Sequence, residues 1–270
     1  MFFVDLDVAR RVESAQAKVC LEYARAVIRR RPDRGDAVEP IGGGYAVFTG
    51  IGSPISQATA VGMGGPVAES DLERLESFYF ERGCPAKVLV CPMADPGVGD
   101  WLGRRGYRPV EFENVLVRPL DLVEPAPPLP PEMVVRRAGP DEAELYVSTV
   151  VTGFFEGGEV TPDLFEQFLL GFHAEGACAF LVELDGRPVS GGSVALHDGV
   201  ATLCGASTLP PSRNRGAQTA LHHARLAFAA TAGCDLAVIN TNCGTVSQRN
   251  SERRGFRVAY TRVGFQREPS

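Results

Sequence analysis

From Ala217 to Phe228 the apolar residues Ala217, Ala220, Leu221, Ala224 and Phe228 recur at spacings of three and four. That is the period of a helix with one buried face, and Gly233 supplies the residue that stops it. Ahead of it the pattern is that of strands. Ala179–Leu184 and Val189–Leu196 are short apolar runs joined by Asp185-Gly186, the residue pair of a tight hairpin. Val200–Ala206 predicts a third antiparallel strand. Upstream, Asp141–Val151 carries Ala143, Leu145, Val147, Val150 and Val151 and reads as a helix broken at Gly153. Thr161-Pro162-Asp163 opens a second helix, running through Phe172: a capping threonine, proline in the first helical position, an acid in the first turn. Downstream, Leu236–Thr241 predicts a buried strand, Ser247–Arg254 a short helix and Arg257–Phe265 a last strand. Three meander strands, a helix, a parallel strand, a helix and an antiparallel return define an α/β domain on a mixed sheet, α+β in arrangement.

The first half ends in the same way. Gly83-Cys84 answers Gly233-Cys234, and Val88–Val90 answers Val238–Asn240. Arg104-Arg105-Gly106-Tyr107-Arg108 answers Arg253-Arg254-Gly255-Phe256-Arg257. A repeat this long is a duplicated domain and not a solenoid. Between the copies, six prolines from Pro119 to Pro131 exclude a helix or a central strand and predict an extended connector. The reading is three parts: a domain over 1–118, a linker over 119–131 and a domain over 132–270.

Composition narrows the function. At 44% hydrophobic and 22% charged, the 270 residues can bury ordinary globular cores. The net charge of −6, shared by both halves, argues against nucleic-acid binding. No apolar run approaches the ~20 residues of a membrane helix. The opening MFFVDLDVARR puts acids where a secretory signal carries basic and apolar residues, so a cytoplasmic protein without membrane partners is expected. Seven cysteines with no C-x-x-C pair predict core filler in a reducing compartment, with neither a disulfide framework nor a metal site. Gly42-Gly43-Gly44 precedes a strand and is a turn, not a dinucleotide fingerprint.

The chemistry concentrates at Arg213-Asn214-Arg215-Gly216-Ala217-Gln218, between a strand and the long helix. The first amides of a helix have no intrahelical partner, and the helix dipole adds partial positive charge there. Glycine at that point lets backbone approach a ligand, so the segment suits a pyrophosphate held by main-chain amides, with Arg213 or Arg215 adding charge. A solvent-facing Arg213 would contribute charge without fixing the loop.

A strand, an Arg-x-x-Gly helix start, another strand and a short helix closing in Gly255-Phe256 resembles the GCN5-related N-acetyltransferase (GNAT) superfamily over about residues 134–266. Arg213 and Gly216 match its acyl-CoA motif; Gln218 stands where that motif has a small residue. The first half shares the closing pattern but not the loop: Gly62–Glu76 has Pro66 and the acids Glu69, Asp71 and Glu73, which repel a pyrophosphate. It resembles a degenerate copy that packs without binding cofactor.

The resemblance implies a fold of two tandem acyl-CoA N-acyltransferase domains and acetyl-CoA as co-substrate. Its pyrophosphate would lie on Arg213, Arg215, Gly216, Ala217 and Gln218. Leu203, Cys204 and Gly205, within the strand Thr202–Leu209, would lend backbone to the pantetheine and an amide to the thioester carbonyl. Ser247 and Asn250, beside Gln248, would hydrogen-bond the cofactor tail. An amine of a small molecule would attack the thioester directly. The superfamily often has a tyrosine four residues before the Gly-Phe pair to protonate the leaving thiolate; Ser251 stands there. Candidate bases are Glu156 and Glu159 in a Gly-rich segment, and His197 and Asp198 at a strand end. His222, His223 and Tyr260 read as packing residues, and Cys204 as filler rather than a nucleophile. The expected protein is a monomer or homodimer acting on a small-molecule amine. The alternative is a silent acyl-CoA-binding or scaffold protein.

Overall fold

The computed structural model describes residues 2–120, 128–156 and 158–269, so most of the proline-rich connector lies outside the described residues. The first half runs α1 (Leu6–Arg30), β1 (Ala37–Ile41), β2 (Gly44–Phe48), β3 (Ala58–Thr59), α2 (Glu69–Phe80), β4 (Ala86–Val90), α3 (Pro96–Arg104) and β5 (Arg108–Pro119). The second runs β6 (Met133–Arg137), α4 (Ala143–Phe155), α5 (Pro162–Gly171), β7 (Ala177–Leu184), β8 (Arg187–His197), β9 (Val200–Thr208), α6 (Ala217–Thr231), β10 (Leu236–Asn242), α7 (Val246–Glu252) and β11 (Arg257–Arg267).

Both halves close helix, strand, helix, strand, and the matching residues do matching work. Gly83 and Gly233 take φ of +63° and +87°. The next amides, Cys84 and Cys234, reach back to the carbonyls of Tyr79 and Ala229 at 3.1 and 3.0 Å. Gly106 and Gly255 repeat the device at φ +78° and +84°, followed by buried Tyr107 and Phe256. Left-handed glycine after a helix satisfies its last carbonyls and turns the chain into the next strand.

The chain forms two compact units: Met1–Arg118 with Val238–Ser270, and Pro119–Ala237. The sequence repeat and the compact unit therefore divide the chain differently after Ala237. The reason is strand pairing. In the first unit the strand order is β1-β2-β3-β4-β11-β5-β10. The last strand of the second repeat, β11, pairs antiparallel with both β4 and β5, with Val263 opposite Val90 and Phe112. Each repeat's last strand is thus built in beside elements of the other repeat. The core under these strands joins Leu75, Tyr79, Val88, Trp101 and Leu102. Truncating a buried tryptophan such as Trp101 costs roughly 3–5 kcal/mol.

A buried ionic cluster fixes β11. Arg262, 2% exposed, pairs with Glu13 of α1 at 3.3 Å and with Glu113 of β5, and Tyr260 donates to Glu13 at 2.7 Å. Buried charges are tolerated when paired and hydrogen-bonded, as these are, and breaking such a pair by removing one partner costs about 3–5 kcal/mol.

The second unit is an antiparallel meander, β6-β7-β8-β9, with α4 and α6 packed on it and α5 packed against α4. The Asp185-Gly186 turn has φ of +51° and +71°, as its residues predict. Thr161 caps α5, accepting from the Leu164 amide at 3.3 Å. Gly153 does not break α4, which continues to Phe155. A Cβ there would lie 2.4 Å from the Ser207 Oγ, so the glycine serves close approach of α4 to β9. Ser207 uses the closeness to donate to the Val150 carbonyl at 2.7 Å.

Candidate functional site

After β9, Pro210–Ser212 makes one 3-10 turn, and Asn214 and Gly216 take left-handed φ of +61° and +87°. Gly216 is the N-cap of α6, and the first intrahelical bond runs from the Ala220 amide to its carbonyl at 3.0 Å. The amides before Ala220 therefore lie at the open end of a 15-residue helix with no acid in its first turn and no side-chain cap. A Cβ on Gly216 would meet only the Met133 Cε, at 4.0 Å. The Cβ side of the cap is therefore open. Arg215 and Gly216 are exposed, Ala217 is buried, and Gln218 folds back to donate to the Thr208 Oγ1 at 2.9 Å.

Arg213 departs from the sequence expectation. Its guanidinium donates to the Thr208 carbonyl at 3.3 Å, the Gly153 carbonyl at 3.1 Å and the Glu156 carboxylate at 2.7 Å. It ties the loop to the C-terminal end of α4, a location where cations are favoured by the helix dipole. Glu156, at the C-cap with φ +51°, completes that tie and keeps an exposed side chain. Glu159 is exposed on the segment that follows.

Before the loop, β9 carries a bulge. Ser193 of β8 faces Cys204 and Gly191 faces Ser207, so Gly205 and Ala206 together oppose Gly192. Leu203 is buried, Cys204 is half-buried with its thiol on the Thr202 carbonyl at 3.5 Å, and Gly205 is exposed with φ +47°. Behind the bulge lies Arg225 of α6, 1% exposed, donating to the carbonyls of Leu221, Ser193 and Cys204. Sequence reasoning missed Arg225; its signal was a cation four residues after Leu221, on the apolar face.

The candidates after Ala237 belong to the first unit. Ser251 is buried and donates to the Ser247 carbonyl at 2.9 Å, a back-bond within α7. The Asn250 carbonyl accepts from Arg254 at 2.8 Å, and Ser247 is exposed. The Gln248 amide group is spent on Asn114, the Gly244 amide and Glu252. Burial and the neighbouring Glu13 push the Tyr260 hydroxyl well above the ordinary tyrosine range, which suits packing and not proton donation. His222 is buried in α6, and His197 and Asp198 end β8 in a hairpin turn.

None of the seven cysteines is in a disulfide; Cys84, Cys91, Cys178 and Cys234 are buried, where burial raises their pKa. Among the described residues no acid, histidine and cysteine group of metal-holding size is found, and no helix is long and apolar enough to cross a membrane.

No protein-family model matches the chain, and no curated protein matches it significantly by sequence. Solved structures do. A GCN5-related N-acetyltransferase from Kribbella flavida is 20% identical with a TM-score of 0.63, over 94% of this chain and 95% of its own. A tandem GNAT protein from the clavulanic acid biosynthesis pathway is 16% identical with a TM-score of 0.64, over 92% and 88%. A GCN5-related N-acetyltransferase from Sphaerobacter thermophilus gives 21% and 0.54 over 68% of this chain, which spans 60% of that protein's length. The chain has the tandem GNAT fold.

Proposed function

We propose that this protein is an acyl-CoA-dependent N-acyltransferase, using acetyl-CoA and a small-molecule amine, with its cofactor site on the second unit. The observation that carries the reading is the start of α6: a left-handed glycine cap, no acid in the first turn, no side-chain cap on the first amides, and open space where a Gly216 side chain would lie. Those features fit a pyrophosphate, which needs several N–H donors and no competing carboxylate. Arg215 stands exposed beside them to add charge. The tandem GNAT fold raises the prior for this chemistry by analogy.

In this reading the neutral amine attacks the thioester carbonyl carbon, forming the C–N bond as the C–S bond breaks; the amine gives up a proton and the thiolate takes one. The chain's contribution is to bind, to orient and to donate from the β9 bulge at Cys204 and Gly205 to the carbonyl oxygen. Of the two glutamates, Glu159 is the preferred base candidate, being exposed while Glu156 is engaged by Arg213. A cytoplasmic location and a monomer or homodimer remain part of the proposal. The site is expected to prefer a cationic small molecule, in keeping with the acidic chain.

The alternative, a silent acyl-CoA-binding protein, draws on Ser251: the residue at the usual acid position is buried and bonded to its own helix. Incubating the protein with acetyl-CoA and a panel of amines, with free thiol as the readout, decides between them. Turnover above background with any amine supports the transferase, and CoA binding without turnover supports the silent reading.

A further inference from the structure

A guanidinium that is 1% exposed is costly to bury, and Arg225 is among the largest fully buried side chains of the protein. It is compensated by carbonyls: Leu221 in its own helix at 3.3 Å, Ser193 on β8 at 3.0 Å, and Cys204 on β9 at 3.3 Å. Two of the three belong to the strand pair that carries the bulge. The backbone opposite has been cleared for it. A Cβ on Gly192 would come within 3.1 Å of the Arg225 Nη1 and 2.9 Å of the Ala206 Cβ. Helix α6 therefore serves both ends of the candidate site, its N-terminus at Gly216 and its middle at Cys204.

The Cys204 carbonyl and the Gly205 amide belong to one peptide group. No described peptide bond is cis, so the two dipole ends point in opposite directions. The carbonyl accepts from Arg225 and, at 3.5 Å, from the Ser193 hydroxyl of β8, so the Gly205 N–H is directed away from both. Gly205 is exposed, and a Cβ there would meet nothing within 4 Å. A cation at the oxygen end of a peptide increases the positive charge at its N–H end, and burial keeps water from screening the effect.

We propose that Arg225 is a positioning residue that orients and polarises the Cys204–Gly205 peptide, so that the Gly205 N–H becomes the donor to the acyl carbonyl oxygen. This rests on the acyltransferase reading. Oxyanion donors of this kind act by being fixed in place before charge develops. Arg225 touches neither substrate; it acts through the peptide. The loss on neutralising it therefore falls on the chemical step, with little change in cofactor affinity.

The test uses the full chain with acetyl-CoA labelled with 13C at the thioester carbonyl. In the wild type, the isotope-edited infrared band of the bound carbonyl is expected at lower frequency than in free acetyl-CoA. In Arg225→Met and Arg225→Gln the band moves back towards the free value. With the amine found by the panel, kcat falls about ten- to a hundredfold while KM for acetyl-CoA changes less than about threefold. Arg225→Lys, which keeps the charge, recovers part of kcat. If either neutral variant melts cooperatively, binds acetyl-CoA and keeps the wild-type band and kcat, Arg225 is only a packing residue and the proposal is overturned. A wild type that does not bind acetyl-CoA overturns the underlying acyltransferase reading instead, a result distinct from an unshifted variant.

Discussion

Helices α2 and α6 stand at corresponding places in the two repeats, each followed by a strand, a short helix and a final strand. Their starts are opposites. α6 opens on a left-handed glycine with no acid in the first turn, and α2 opens on extended Ala68 with Glu69 and Asp71. Ahead of α6 the loop is tied back by Arg213, which leaves the cap clear. Just ahead of α2 the protein places an anion of its own: the Asp95 carboxylate accepts from the Val67 amide at 3.0 Å, and it also caps α3 through the Gly97 amide at 3.3 Å. The Met63 carbonyl in the same loop accepts from Arg10 at 2.8 Å. Neither helix has a side-chain cap, so the contrast is one of charge and of approach: α6 opens on glycine without acids, and α2 opens on two acids with the Asp95 carboxylate held just ahead of it. The difference lies in a few residues at the helix start, not in the fold around it.

The largest way to break this contrast is an acid on α6. Gly216→Asp places negative charge at the cap and removes the close approach. Losing two charge-assisted hydrogen bonds, at roughly 1.5–3 kcal/mol each, weakens CoA binding by about two to four powers of ten. Aspartate is a good N-cap in extended backbone, but here φ is +87° and a side chain costs about 1–2 kcal/mol. Gly216→Asn shares the strain without the charge. Thermal melts should rank both variants below the wild type by similar amounts, and calorimetry should show the far larger affinity loss for aspartate.

In the first unit, Asp95→Ala removes the internal anion. Its two amide contacts include the cap of α3, so stability should fall by about 0.5–2 kcal/mol in denaturant melts, with no second CoA site appearing in a titration. A second site would mean that Asp95 alone distinguishes the copies. Arg213→Ala should loosen the α6 loop and weaken CoA binding by about tenfold, the loss of one charge-assisted anchor. Glu156→Gln should change affinity in the same direction by no more than about fivefold, since an exposed ion pair contributes little. If Glu156→Gln tightens CoA binding, Arg213 is a phosphate ligand released from Glu156 and not a brace.

The smallest effect is in pH. Hydrogen bonds from Arg136 and the Gly139 amide hold Glu142 at about 2, against an ordinary value of 4.5. A depressed carboxylate contributes stability above its unfolded pKa and loses it as pH falls through its folded one. The melting-temperature gap between wild type and Glu142→Gln should be constant above about pH 4.5 and close towards pH 2. A gap independent of pH would show that the pair contributes nothing through its charge.

Much of this was legible in the sequence, because it rests on short-range rules. The Asp185-Gly186 turn, the Thr161 cap, the repeated Gly-Cys and Gly-aromatic endings and the glycine at α6 all declare themselves within a few residues. The exchange of final strands does not. β11 has the same alternation whether it lies beside β10 or between β4 and β5, and only the buried partners of Arg262 and Tyr260, some 250 residues away at Glu13, select the second. Gly153 was misread for a related reason: in a helix, a glycine that admits Ser207 looks the same in sequence as one that ends the helix. Arg213 likewise looked like a free cation because its three acceptors come from Gly153, Glu156 and the end of β9.

The central claim is that one of the two copies offers an open anion site. Titration of CoA into the full chain by isothermal calorimetry tests it most directly. A single class of sites is expected, close to one per chain, abolished in Gly216→Asp while Asp95→Ala leaves the stoichiometry unchanged. Two equivalent sites per chain, or wild-type affinity in a folded Gly216→Asp, would contradict it.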